Sequence, residues 1–377
     1  MPTGYRHPAN ALAAMLADAE RLITCESPSR DLSAVAACAD TLATLGAERL
    51  GTSPERIVVD GHTHLRWSFG SGPAKVLVLG HYDTVWPLGT LIDHPFSVSS
   101  GILRGPGCFD MKAGLVQALH ALASLDDLDG VTFLATGDEE IGSPTSRELI
   151  ETEAMECDAV LVLEASADGG ALKTARKGAA SYRLWARGRA AHAGLEPERG
   201  INAGSELAHQ ILAVSTLGNR AEGTTVTPTV ATAGITSNTI PAEAVVDIDV
   251  RARTARELHR VDRALRALCP VLPGAVLALD ISTSRPPLEA SRSTTLFALA
   301  QDVAAELGLA PLACAEVGGA SDGNLTAGVG TPTLDGLGAV GGGAHAPHEY
   351  VLVATLLSRT ALLAELIRRL LTTGAAL

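Results

Sequence analysis

The sequence predicts an α/β protein, in which one sheet is covered by helices on both faces and interrupted by a smaller ferredoxin-like α+β unit. Three observations carry this prediction. Short continuous apolar runs alternate with helical patterns through the first half of the chain. After about Lys177 the strand-like segments switch to alternating apolar and polar residues. Two long amphipathic helices are interleaved with those alternating segments.

In order, the continuous runs are Lys75–Gly80 (KVLVLG), Val131–Thr136 (VTFLAT) and Ala159–Glu164 (AVLVLE). Strands apolar on both sides need cover on both sides, so these belong to a buried sheet. Helical patterns fall at Asn10–Ile23, Gly114–Leu125 and Pro144–Ala154, with Ser143 as N-cap before Pro144 at the first helical position of the last. Ser181–Gly188 and Val245–Arg251 alternate, as strands with one wet face do. The helices between them are Ala203–Leu217 and Ala255–Leu268, the second opening on Thr254 and Glu257 as a capping box. The order β-α-β-β-α-β places the inserted unit at 179–288, with 1–178 and 289–377 forming the larger domain. A final amphipathic helix is expected from about Leu352.

A chain of 377 residues accommodates two such domains. The net charge of −13 argues against nucleic acid, whose binding rests on Lys and Arg neutralising phosphates. No apolar run approaches the roughly 18 residues of a membrane span, and the opening residues carry no signal-type apolar stretch. The six cysteines are scattered without a CxxC pair and read as reduced thiols, so a cytoplasmic location is expected. The glycine-rich GSGPAK and VGGGAH lack phosphate-loop spacing and read as turns.

The chemistry-bearing residues lie at strand ends. His81 and Asp83 follow the first apolar strand as G-H-Y-D-T, and residues two apart in extended chain point the same way. Asp83 is thus placed to take the second ring N–H of His81; a solvated polar strand end is the plainer alternative. Asp110 lies in the glycine-rich RGPGCFDMKAG, where a lone Asp before a helix is commonly an N-cap. Glu139 and Glu140 follow the strand VTFLAT; paired carboxylates often face solvent, but at a strand end their side chains diverge. Glu164 ends an apolar strand, a poor place for an acid without a cation nearby, and His345 sits in the late loop GGGAHAPHEY. Three strand ends put His81, Glu139–Glu140 and Glu164 on one carboxyl edge, where open α/β sheets build their sites. Two His and three carboxylate ligands without a thiolate suit two divalent ions, zinc first, with cobalt or manganese as substitutes.

In that order, GHYDT, RGPGCFDMKAG, GDEEIGS, LVLE and GAHAPHEY resemble the motifs of the co-catalytic zinc peptidase family M20, which includes glutamate carboxypeptidase, succinyl-diaminopimelate desuccinylase and aminoacylase. The resemblance implies a zinc-exopeptidase-like mixed sheet, and a lid and dimerisation role for the inserted unit in a homodimer. Carried over, His81 and Glu164 would bind one zinc and Glu140 and His345 the other, two Zn²⁺ per subunit, with Asp110 bridging them through a residue whose following peptide bond is cis. Asp83 would orient His81 and Glu139 would be the general base. In the lid, His192 of AAHAG would reach the partner subunit's site. Asn238 of SNTIP and Arg251 of DVR resemble the substrate-carboxylate clamp. Arg285 of TSRPP matches a position on the glutamate side, and Gly318 and Gly319 resemble a loop that contacts substrate through its backbone. Lys173 matches only with a one-residue slip.

The resemblance implies hydrolysis of an amide bond beside a free carboxylate in a small molecule or short peptide, releasing a C-terminal, glutamate-like amino acid. The glutamate carboxypeptidase branch is favoured through SNTIP, DVR and SRP. An aminoacylase or desuccinylase uses the same site on an N-acyl amino acid, and a non-catalytic binding homologue would have to lack a ligand or the base.

Overall fold

The computed structural model describes residues 10–373. The chain divides into two compact units, the second comprising Arg176–Glu289 with Gly318–Ala320 and the first the remainder. The sequence reading put the insertion at 179–288 and kept Gly318–Gly319 outside it.

Among the described residues, the first unit builds a six-stranded mixed sheet in the order Glu55–Val59, His62–Ser68, Val131–Thr136, Val76–His81, Ala159–Val162, Thr333–Leu334. The first two pairings are antiparallel and the other three parallel. Strands 76–81 and 131–136 are buried along their whole length. Val76 and Val78 enter one core with helices Ala11–Ile23, Leu32–Leu50, Ala113–Leu122 and Leu356–Thr373. Leu77 and Leu79 enter the other with Ile150, Ala154 and Leu325. This is why the runs read as continuously apolar: successive side chains face different cores, each contributing about 1.5–3 kcal/mol by burial.

The second unit is a four-stranded antiparallel sheet, ordered Thr225–Ala233, Glu243–Ala252, Gly178–Arg187, Val276–Arg285. Its chain order with helices Ala203–Ser215 and Ala255–Arg266 is β-α-β-β-α-β, the ferredoxin-like arrangement. Ala180, Tyr182, Leu184 and Ala186 pack under the helices against Leu207, Val214, Leu258 and Val261. The intervening residues face outward, giving the alternation seen in the sequence.

Three local expectations are corrected. The helix expected at Pro144 starts at Arg147, because Asp138 accepts hydrogen bonds from Thr145 N, Thr145 Oγ1 and Ser146 N and holds that stretch as a loop. Thr254 does cap its helix by accepting from Glu257 N, but the Glu257 carboxylate turns to Thr224 and Arg260, so the reciprocal half of the box is not made. The last helix begins at Leu356, since Tyr350–Leu352 is a strand paired with Ile102–Arg104. All six cysteines are free thiols. No helix among the described residues is long and apolar enough to cross a membrane.

Candidate metal centre

The parallel strands 131–136, 76–81 and 159–162 end on one edge of the first unit's sheet, bringing His81, Glu140 and Glu164 together. His81 Nε2 lies 3.4 Å from Asp110 Oδ1 and 3.5 Å from Glu164 Oε1. His345 Nε2 lies 3.3 Å from Asp110 Oδ2 and 3.1 Å from Glu140 Oε1. The two groups therefore share Asp110, one carboxylate oxygen toward each. The peptide bond between Asp110 and Met111 is cis. Glycines admit close backbone approach here: a Cβ on Gly338 would stand 2.2 Å from the Leu163 carbonyl and 2.9 Å from that of Glu164.

Buried acids lie behind this cluster. Asp83 is fully buried and accepts from Ser29 Oγ at 2.6 Å, Glu139 N at 3.2 Å and Glu140 N at 3.1 Å. Its carboxylate therefore faces the Glu139–Glu140 turn, and the closest acceptor to His81 Nδ1 is the Asp83 backbone carbonyl at 3.0 Å, with Asp83 Oδ1 at 3.4 Å. Asp83 thus meets the His81 ring first through its main chain. Burial works to raise its pKa, but His81, Ser29 and the backbone N–H groups outweigh it and hold it below the usual carboxylate value. Asp322, also buried, accepts from Thr136 Oγ1 and Ser143 Oγ at the end of the neighbouring strand. Lys173 Nζ lies 3.7 Å from Glu164 Oε2.

The donor set fits cations. His81 Nε2 is buried with no hydrogen-bond partner, yet it points at two carboxylates. A buried orphan nitrogen is costly, and a cation between it and those oxygens removes the cost. Without a cation the imidazoles must carry the charge. Burial opposes this at His81, but Asp110, Asp83 and Glu164 together hold its pKa well above the usual histidine range. His345 is pushed up to about 10 by Asp110 and Glu140. Glu139 opens the short turn Glu139–Ile141, next to Glu140 and half-buried.

The second unit carries the remaining candidates in two groups. His192 and Asn238 lie on paired segments: His192 bridges to Thr239, and Ala193 N donates to Asn238 O at 2.9 Å. His192 Nδ1 accepts from Gly194 N and Leu195 N, both at 3.1 Å, which puts the ring proton on Nε2. Arg251 and Arg285 each pair with Ala179, so they share one row and one face on strands flanking it. Arg251 is held by Asp249, with Nη2–Oδ2 at 2.9 Å. Gly319 is exposed, and its carbonyl accepts from Arg176 Nη1 at 3.1 Å. Strand Glu243–Ala252 separates the two groups, about 30 Å at ~3.3 Å per residue.

Sequence reasoning missed Asp138, Asp322 and Glu349. Each is a buried acid whose partners are largely backbone amides or hydroxyls. Such contacts leave no spacing pattern in the sequence.

The description Peptidase family M20/M25/M40 matches residues 77–369. Carboxypeptidase G2 of Pseudomonas sp. (strain RS-16) is 32% identical over 293 residues, 74% of this chain and 70% of that one. Succinyl-diaminopimelate desuccinylase of Methylorubrum populi is 27% identical over 298 residues, 73% and 76% of the two chains. In fold, the aminopeptidase PepT of Bacillus cereus superposes with a TM-score of 0.72 at 19% identity, covering 96% of this chain and 99% of its own. An M20 family metallo-carboxypeptidase of Sulfolobus solfataricus gives 0.71 at 16% identity, covering 95% and 98%. With its paired His and carboxylate groups on the sheet edge and these matches over most of its length, the chain belongs to the peptidase family M20/M25/M40 of metal-dependent peptidases and amidohydrolases.

Proposed function

We propose that the protein cleaves an amide bond next to a free carboxylate and releases a C-terminal amino acid, glutamate or a similar acid by preference. The observation that carries this is the pair of ligand groups sharing Asp110 with Glu139 alongside, in a chain similar to a carboxypeptidase over most of its length. His81, Asp110 and Glu164 would hold one divalent ion and Asp110, Glu140 and His345 a second, zinc first, with cobalt or manganese able to replace it. When bound, such ions supply Lewis acidity toward water and the scissile carbonyl.

The protein's own groups do the rest. Glu139 takes the proton of the attacking water and passes it to the leaving amine. His192, with its proton on Nε2, donates to the carbonyl oxygen as negative charge develops there. Arg251 and Arg285, two strands apart and about 10 Å between backbones, receive the carboxylates of an acidic residue. Asn238 stands at the far end of the same sheet, so a small substrate touching both Asn238 and Arg251 draws them from two chains. That span supports a homodimer in which the inserted unit is a lid and His192 and Asn238 act in trans. The six free thiols support a cytoplasmic location.

The similarity to a desuccinylase favours a second reading, deacylation of a small N-acyl amino acid at the same site. Amino-acid release from parallel libraries of N-acyl amino acids and dipeptides separates the two. Glutamate released from peptidyl and N-acyl donors alike supports the first; release that depends on one acyl group, whatever the amino acid, supports the second. No release by protein loaded with Zn²⁺, Co²⁺ or Mn²⁺ overturns both.

A further inference from the structure

Glu349 is 4% exposed, and its carboxylate is held by neutral N–H donors. Its Oε1 accepts from Phe109 N at 2.8 Å and Asp110 N at 3.0 Å, and its Oε2 from Gly107 N and Trp86 Nε1, both at 3.0 Å. A carboxylate has four in-plane lone-pair positions, and here each has a donor. Three of the four donors belong to the turn that presents Asp110. Glu349 itself lies four residues beyond His345, across consecutive turns closed by Ala346 N to Gly343 O and Glu349 N to Ala346 O, both at 2.9 Å. Just beyond it, Val351 and Leu352 pair with Leu103 and Ile102, and Arg104 Nη1 donates to His348 O at 3.2 Å. Two segments some 240 residues apart in sequence, one bearing Asp110 and the other His345, are thus sewn into one body.

We propose that Glu349 is a positioning residue that sets the spacing of the two ion positions, by tying the turn that carries Asp110 to the loop that carries His345. This rests on the two-ion reading above. The position formed by Asp110, Glu140 and His345 takes two of its three ligands from the tied segments, and the one formed by His81, Asp110 and Glu164 takes one. Glu349 therefore governs the first of these positions more than the second. The side chain touches neither substrate nor ion; it acts through Asp110 and His345.

Glu349→Gln keeps the volume but turns amide hydrogens toward two of the four N–H donors. Metal-free protein titrated with Co²⁺, followed by visible absorbance and equilibrium dialysis, reads the two positions apart. Wild type should bind two ions. Glu349→Gln should keep one near wild-type affinity and bind the other about 10–100-fold more weakly, and Glu349→Asp should recover part of the loss. Asp18→Asn, a buried acid far along the chain from every ligand, matches a general loss of stability and should bind both ions as wild type does. Unchanged binding of both ions by Glu349→Gln, or equal weakening of both, overturns the proposal. Should Glu349→Gln not fold, Trp86→Phe removes one donor and should weaken the same position by a smaller factor; unchanged binding then overturns it. Wild type that binds fewer than two ions instead sinks the two-ion reading itself, an outcome distinct from a failure of the variants alone.

Discussion

Asp83 and Arg251 are both charged residues at strand ends, and the two units treat them differently. Asp83 is sealed from water and accepts three hydrogen bonds from other segments, including both glutamates of the neighbouring strand end. Arg251 is half-buried, and its guanidinium is held by Asp249, two residues away on the same strand. The same contrast holds between Asp110, met by His81, His345 and Glu349, and His192, whose ring Nδ1 accepts from Gly194 N and Leu195 N of its own turn. In the first unit Asp83 and Asp110 are held largely by partners distant in sequence. In the second unit Arg251 and the His192 ring rest on neighbours in their own strand or turn, while Asn238 and Gly319 are met by Ala193 and Arg176 from further along the chain. Metal ligands must hold sub-ångström geometry before any substrate arrives, whereas groups that grip a substrate gain from being released to it.

The largest effect that could break this contrast is at Glu139. Glu139→Gln should lose about 10²–10⁴-fold or more in turnover and retain full metal content, since it removes proton transfer and not a ligand. Metal loss in Glu139→Gln but not in Glu140→Gln would reverse the assignment of the pair. The same variant probes the second unit. Mixing inactive Glu139→Gln chains with inactive His192→Ala chains should restore activity to about a quarter of wild type if subunits exchange at random. No recovery despite proven exchange would put His192 in cis or outside catalysis.

A smaller effect is expected at Arg251. Arg251→Ala should raise KM about 10–100-fold for substrates with a free carboxylate, the loss of a charged hydrogen-bonded pair, and leave carboxamide analogues equally poor. Metal content, measured on the same preparation, should be unchanged. Equal loss on both substrate types would make Arg251 a structural residue and erase the distinction between the units.

The smallest effect separates stability from the site. Burial works to raise the pKa of Asp18, but His120 and Arg49 hold it below the usual value. A folded-state pKa below the unfolded one adds stability above the unfolded value, and that stability is lost as pH falls through the folded one. Asp18→Asn should therefore cost about 1–3 kcal/mol near pH 7, and the difference should shrink as pH falls below about 4. Denaturant melts across that range check it; a gap constant with pH would mean the Asp18 charge contributes nothing.

By itself the sequence determined the alternation of buried strands and helices, the shift to one-sided strands after Lys177, and the residues standing at the strand ends. These are local facts: burial on two faces writes continuous apolar runs, burial on one writes alternation, and a polar residue ending such a run is visible without its neighbours. Tertiary structure decided what lies around them. Glu349 and Asp322 reach backbone amides or hydroxyls more than 170 residues away, and a hydrogen bond to a main chain that every residue shares leaves no mark on sequence spacing. The helix start at Arg147 moved because Asp138 captured the residues before it. Sheet register likewise set Arg251 and Arg285 in one row on either side of Ala179 and put Asn238 at the opposite end, a matter of which strands pair and in which direction. That choice is made by the packing of the whole unit and not by any one segment's own residues.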